Sequence, residues 1–121
     1  MSLRAATALV GAFDTAVGVV PGVTPTELCA EAIRGAVADA GLALGDVDGL
    51  ITCNAMAQPI LYHAEAMAEY LQLFPKLCLT LPTGGGTTVT ALAHAAAAIS
   101  AGEVDTVVLA MADSLRSGLT R

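Results

Sequence analysis

The sequence predicts an α/β fold: a mainly parallel sheet with a buried helix that follows a glycine turn. Three observations predict it. Short apolar runs of strand length alternate with stretches of helical periodicity in the order β-α-β-α-β-α-β, and crossovers of that kind join parallel strands. The stretch Thr80 to Ser114 reads as strand end, glycine turn, apolar helix, tight loop and apolar strand. Hydrophobic content is 55% against 13% charged, carried by Ala and Val with only two Phe and two Tyr. Side chains that small suit helices packed closely on a sheet, and leave few polar groups for a free-standing surface.

In chain order, Ala6 to Phe13 is an apolar run closed by Asp14 and is read as a first buried strand. Thr15 to Val23 holds Gly18, Pro21 and Gly22 and is a loop. Thr24-Pro25-Thr26-Glu27 starts a helix: Thr24 caps, Pro25 suits the first turn and Glu27 closes a capping box. That helix runs to about Ala40, with Cys29, Ile33, Ala36, Val37 and Ala40 on one face, and Gly41 ends it. Leu42 to Asp48 is a loop, and Gly49 to Cys53 is a second strand followed by Asn54. Leu61 to Leu73 is a second helix with Leu61, Ala64, Met67, Ala68 and Leu71 on one face; His63, in its first turn, is read as a surface histidine. Lys76 to Leu81 is a third strand. The apolar helix spans about Thr87 to Ala101 and Gly102 ends it; Thr106 to Met111 is a fourth strand. Leu115 to Arg121 is assigned no structure.

No charged residue occurs from Thr87 to Ala101. A surface helix shows a polar stripe, so this one is expected to be covered on every side. His94 within it reads as a neutral core histidine.

The net charge is −6, and the only cations are Arg4, Arg34, Lys76, Arg116 and Arg121. With no basic stripe, nucleic-acid binding is not expected. Three scattered cysteines, Cys29, Cys53 and Cys78, form neither a disulfide framework nor a zinc pattern, so no metal site is expected and a reducing, cytoplasmic setting fits. No segment is long and apolar enough to span a membrane.

Chemistry concentrates at Gly84, Gly85, Gly86 and Thr87, where a glycine turn lets a ligand approach backbone amides at a helix N-terminus. A P-loop would need Lys after the glycines and has none. A dinucleotide fingerprint matches at Gly84 and Gly86 but meets Val89 at its third position, with Asp113 as the candidate ribose acid. A third reading is a catalytic turn with its nucleophile at the mouth of the apolar helix. Cys53 and Asn54 end a strand at the edge where α/β sheets bind ligands, and are read first as a core thiol and a loop amide. Cys29 and Cys78 read as core thiols.

Four segments carry a family resemblance: ALVGAF, ADAGLALGDVDGLI, AEYLQL and ALAHAAAAISAGEVDTVVLAMADS. Together they resemble the N-terminal half of thiolase-superfamily proteins, of the sterol-carrier and lipid-transfer type. The resemblance implies that residues 1–121 are a partial domain whose C-terminal half is absent. It also implies that the helix after the turn lies between two sheets. The family's nucleophilic cysteine would fall on Gly85, so Cys-dependent thiolysis is not expected of this turn and the catalytic residues stay unassigned. What the resemblance implies instead is action on an acyl-CoA thioester, by retro-aldol carbon–carbon cleavage, with no cofactor. The expected partners are acyl-CoA, further subunits in a homo- or hetero-oligomer, and a small OB-fold, zinc-ribbon protein. Two other readings stand beside it: a non-catalytic degenerate subunit or lipid carrier, and a small nucleotide-binding module.

Overall fold

The computed structural model describes residues 2–118. Its order of elements is α1 (Pro25–Asp39), β1 (Gly49–Thr52), α2 (His63–Leu71), β2 (Leu77–Thr80), α3 (Thr87–Ser100), β3 (Val107–Ala110) and α4 (Leu115–Gly118). Single 3₁₀ turns cover Leu44–Asp46 and Gly84–Gly86. The three strands form one parallel sheet in the order β2-β1-β3, with Leu50 opposite Cys78 on one side and Val108 on the other. The α/β class and the parallel sheet are as the sequence predicts.

Local signals set the helix ends. Thr24 Oγ1 accepts from the Glu27 amide at 3.2 Å while a Glu27 carboxylate oxygen accepts from the Thr24 amide at 2.8 Å, which closes the predicted capping box. Gly41 and Gly102 stand just past the ends of α1 and α3, both in the left-handed region.

The sheet has two unlike faces. On one, α1 and α2 pack side by side over Leu50 and Val108, and Cys29, Ile33, Leu50 and Met67 lose all contact with solvent. Full burial of such side chains contributes about 1.5–3 kcal/mol each. On the other face lies α3 alone. Its buried stripe is Thr87, Ala91, Ala95 and Ala98, seated on Ile51, and the strand residues Leu77, Leu79, Val107 and Leu109 beside it are only half-buried.

Several sequence expectations are corrected here. Ala6–Phe13 is not a strand: it runs along the molecule with no ladder partner, and Leu9 is 82% exposed. An apolar run supplies β propensity, but pairing needs a neighbouring edge. The helix after the glycine turn is buried along one stripe only, and Val89 is 73% exposed. His94, expected in the core, lies on the uncovered face of α3. The second helix begins at His63 rather than Leu61, because Tyr62 takes the left-handed conformation at φ 59°. That shift turns His63 inward and leaves Leu61 80% exposed. The expected structureless tail contains the short helix α4, and its last three positions lie outside the described residues.

Polar staples tie distant segments together. Asp105 and Thr106 amides donate to the Asp48 carboxylate at 2.8–3.1 Å, fixing the start of β3 beside β1. Burial pushes the Asp48 carboxyl up, but the amides of Thr106 and Asp105 and the charge of Lys76 outweigh it, so its pKa falls below the usual 3.8. Gln58 Oε1 accepts from both the amide and hydroxyl of Thr26, at 3.2 and 2.8 Å, and holds the loop after β1 against the first turn of α1.

Candidate functional site

The C-terminal edge of the sheet gathers the polar residues. Here β1 ends in Thr52, Cys53 and Asn54, β2 ends in Thr80 and Leu81, and β3 runs into Met111, Ala112 and Asp113. Open α/β sheets bind ligands at this edge. The glycine turn rises from it between β2 and α3.

Thr87 is the pivot of that turn. It is 1% exposed, and its hydroxyl has the Leu81 carbonyl at 3.3 Å, the Thr83 hydroxyl at 3.0 Å and the Cys53 sulfur at 3.8 Å, while accepting from the Thr83 amide at 3.2 Å. One side chain therefore closes the turn on itself and ties it to the end of β1. Thr90 adds a hydroxyl bond to the Gly86 carbonyl at 3.0 Å. Thr87 thus supports the turn from beneath, whereas Gly84, Gly85 and Gly86 are exposed above it.

The glycines differ among themselves. Gly84 sits at φ +62°, where a side chain is strained. Gly85 and Gly86 do not, and a Cβ on either would meet nothing within 4 Å. Neither the backbone nor the packing requires glycine at those two positions. What they leave is a bare strip of backbone at the mouth of a helix, where amides can face an anionic or carbonyl oxygen.

On the other side of the sheet edge, His63 Nδ1 lies 2.8 Å from Thr52 Oγ1, and Thr80 Oγ1 accepts from the Ala64 amide at 2.9 Å. These bonds lock the start of α2 onto the ends of β1 and β2. His63 is 1% exposed, and burial drives its pKa below the usual 6.5, favouring the neutral ring. The exposed reading of this residue is thereby overturned.

The cysteines separate by position. Burial pushes the Cys29 thiol up to about 11, and burial with the Glu65 charge raises that of Cys78. Both are unreactive thiols of the α1/α2 face. Cys53, half-buried, borders the glycine turn through Thr87. That juxtaposition spans 34 residues of sequence and had only the strand-end position as its signal.

Asp113 cannot serve as the ribose acid of a dinucleotide site. Its carboxylate accepts from the amides of Met56 and Ala57 at 2.7 and 3.1 Å and from its neighbour Ser114 at 2.8 Å. Val89, where the fingerprint needs a glycine packed on the sheet, points away from it. Among the described residues, no group of three or more His, Cys, Asp or Glu side chains could hold a metal ion, and no helix is long and apolar enough to cross a membrane. A cleft of about 640 Å³ lies outside α1 among Phe13, Glu31, Arg34 and Tyr70, away from the glycine turn.

A small parallel sheet with a glycine turn leading into an apolar helix defines the class: an α/β protein with its candidate site at the sheet's C-terminal edge. Comparison with known proteins narrows it. The 17-hydroxy-3-oxo-4-pregnene-20-carboxyl-CoA lyase of Mycobacterium tuberculosis is 37% identical over 100 residues, which are 81% of this chain and 25% of the lyase. Among solved structures, the Ltp2-ChsH2(DUF35) aldolase superposes with a TM-score of 0.69 at 30% identity, over 83% of this chain and 25% of that one. The 3-oxoacyl-(acyl-carrier-protein) synthase III of Aquifex aeolicus superposes with a TM-score of 0.72 at 19% identity, covering 81% and 32%. Xanthomonas campestris OleA, solved with lauric acid and lauroyl-CoA, gives 0.64 at 17%, covering 74% and 27%. No family model matches the chain. Fold and likenesses together fit a fragment of a thiolase-superfamily protein. The chain spans between a quarter and a third of the length of these relatives.

Proposed function

We propose that this chain is the N-terminal part of a thiolase-like protein that acts on acyl-CoA thioesters by retro-aldol cleavage rather than by cysteine-dependent thiolysis. The observation that carries the reading is the turn itself: at the mouth of α3, Gly85 presents backbone and open space where the family resemblance calls for a thiol. The likeness to a CoA lyase and to an aldolase supports it.

In such a cleavage a base takes the proton of a β-hydroxyl and the bond between the α and β carbons breaks. The β-carbon leaves as a ketone or aldehyde, and the electron pair passes to the α-carbon as a thioester enolate. Protonation of that carbon yields a shortened acyl-CoA, with no oxidant or reductant consumed. The step needs hydrogen-bond donors at the thioester oxygen and does not need a nucleophile. Amides of Gly84, Gly85 and Gly86 are the donors this chain offers, the Thr87 amide being bound to the Gly84 carbonyl while its side chain holds the turn, and the base lies in the rest of the protein. No cofactor enters the scheme. A cytoplasmic setting and an OB-fold, zinc-ribbon partner complete the reading; the likeness to the Ltp2-ChsH2(DUF35) aldolase supports association with a second protein.

The test is to purify the natural polypeptide that contains this segment and supply a β-hydroxyacyl-CoA. The expected result is release of a carbonyl product and a shorter acyl-CoA. Failure of that polypeptide, with and without co-purifying proteins, either to bind acyl-CoA or to cleave it would overturn the reading. A second reading, a non-catalytic subunit or lipid carrier, is favoured by the uncovered face of α3, where Val89 and Leu92 lie open. It predicts a stable hetero-oligomer whose turnover is indifferent to substitution at Gly85.

A further inference from the structure

The ends of β1 and β2 each hold two elements at once. In extended chain, consecutive side chains point to opposite faces of the sheet. Thr52 and Thr80 turn toward α2: the Thr52 hydroxyl lies 2.8 Å from His63 Nδ1, and the Thr80 hydroxyl accepts from the Ala64 amide at 2.9 Å. Cys53 and Leu81, the next residues, serve the glycine turn. The Thr87 hydroxyl reaches the Leu81 carbonyl at 3.3 Å and lies 3.8 Å from the Cys53 sulfur. The Leu81 amide donates to the Thr52 carbonyl at 2.9 Å and ties the two strand ends together. On each strand, one peptide unit separates the start of α2 from the glycine turn.

His63 is seated there under constraint. Both it and Thr52 are closed to solvent, and the Thr52 hydroxyl has no other partner among the described residues. Tyr62, whose φ of 59° aims His63 inward, takes a conformation that is costly for an L residue. Its own side chain is exposed, so packing does not offset that strain. The titratable groups of the elements packed here are Tyr62, Glu65 and Glu69 around α2, Cys29 of α1, Cys53 after β1 and Cys78 of β2. None of them compensates a charge on the ring, whose pKa burial alone lowers. A protonated His63 therefore has no counter-charge in its seat, and a buried charge without one is driven out toward water.

Expulsion of the ring reaches the turn by a short route. It strands the buried Thr52 hydroxyl and frees the start of α2 from Thr80. The strand ends at 52–53 and 80–81 then lose their anchor on one face, and these same units carry Thr87 on the other. Thr87 in turn accepts from the Thr83 amide and meets the Thr83 hydroxyl, so Gly84–Gly86 is fixed between two residues that answer to the strand ends. A seat with two discrete arrangements, neutral inside or charged outside, is the kind of element that couples two places in a fold.

We propose that His63 is a positioning residue for the glycine turn: its neutral, seated ring fixes the amides of Gly84, Gly85 and Gly86 through the ends of β1 and β2, and its protonation releases them. His63 touches no reacting atom and acts only through Thr52, Thr80 and the residues that follow them. The inference rests on the reading of the turn as the place where a thioester oxygen is held, and adds to it a loss of function in mild acid. The direction follows from burial. The folded pKa lies below 6.5, so the turn is fixed near neutrality and released as pH falls through the folded value.

The natural polypeptide that contains this segment is compared with its His63→Gln variant by amide hydrogen exchange across a series of pH values. The ratio of the two proteins at each pH cancels the intrinsic pH dependence of exchange. The reporters are amides bonded within the network: Ala64 beside His63, and Thr83 and Thr87 at the turn. The expected ratio of native to variant rates is constant near neutrality and rises about tenfold for all three once pH falls through the folded His63 value. A rise at Ala64 alone, or at none of them, would overturn the inference. Should the variant not fold, the native protein carries its own reference, the Thr106 amide bonded to Asp48 at the opposite edge of the sheet. Thr83 is expected to accelerate relative to Thr106; equal acceleration of the two would mean global loosening and refute the coupling. Turnover of a β-hydroxyacyl-CoA is a separate readout: relative to the variant, kcat falls over the same pH range while KM holds. A polypeptide without turnover at any pH would sink the proposed reaction, and the exchange ratios would still decide the coupling.

Discussion

The two faces of the sheet make opposite use of apolar side chains. Over Leu50 and Val108, α1 and α2 bring Ile33, Met67 and Leu71 into contact, and charged residues such as Glu31, Glu65 and Glu69 remain outside. Over Ile51, α3 brings only alanines and a threonine, and its outer surface carries Val89 and Leu92 with no charge among them. The first face is finished within this chain. The second is apolar on both sides of its helix and is the half of a core that needs another layer.

Four experiments break or sharpen that contrast. The largest expected effect is on the finished face: Ile33→Ala or Met67→Ala lowers unfolding free energy by about 2–5 kcal/mol, whereas Val89→Ala in the isolated chain stays within about 0.5 kcal/mol. Urea denaturation of the 121-residue chain measures both; equal losses would erase the distinction. Next, Thr87→Val strands the polar groups beneath the glycine turn and costs about 1–3 kcal/mol. A loss that small but real, with faster exchange of the Thr83 amide, would confirm that Thr87 holds the turn to the sheet.

The third concerns pH. His63 has a folded pKa below 6.5, so the unfolded chain binds more protons in the interval between the two values. Stability is therefore complete above pH 6.5 and falls as pH drops toward the folded value. Asp48, depressed below 3.8, adds a separate loss at more acid pH. His63→Gln is expected to remove the first decline and leave the second. Smallest is the difference within the turn: Gly85→Ala stabilises by about 0.4–1 kcal/mol, while Gly84→Ala, at φ +62°, destabilises by about 1 kcal/mol. Thermal melts of the pair read it directly, and a destabilising Gly85→Ala would show that packing requires that glycine after all.

What was legible in the sequence was local or periodic. Thr24 and Glu27 announce α1 because both halves of the capping box lie within four residues. Cys29, Ile33 and Val37 announce its buried face by spacing alone. The glycine turn and the strands at Gly49, Leu77 and Val107 follow from short apolar runs between turn residues. Non-local matters were hidden. Ala6–Phe13 has the composition of a strand, and no sequence pattern says whether an edge lies beside it. His63 was misplaced by two residues of helix start, enough to rotate it from the outer surface onto Thr52. The contact between Thr87 and Cys53, and the capture of Asp113 by Met56 and Ala57, depend on the sheet bringing distant segments together.

The central claim is that the α3 side of this sheet is an unfinished core. Sedimentation equilibrium of the isolated 121-residue chain over a range of concentrations tests it most directly. The expected result is concentration-dependent self-association that weakens when Val89→Lys and Leu92→Glu charge the bare face. A monodisperse monomer at every concentration, unfolding in a single cooperative transition, would contradict the account.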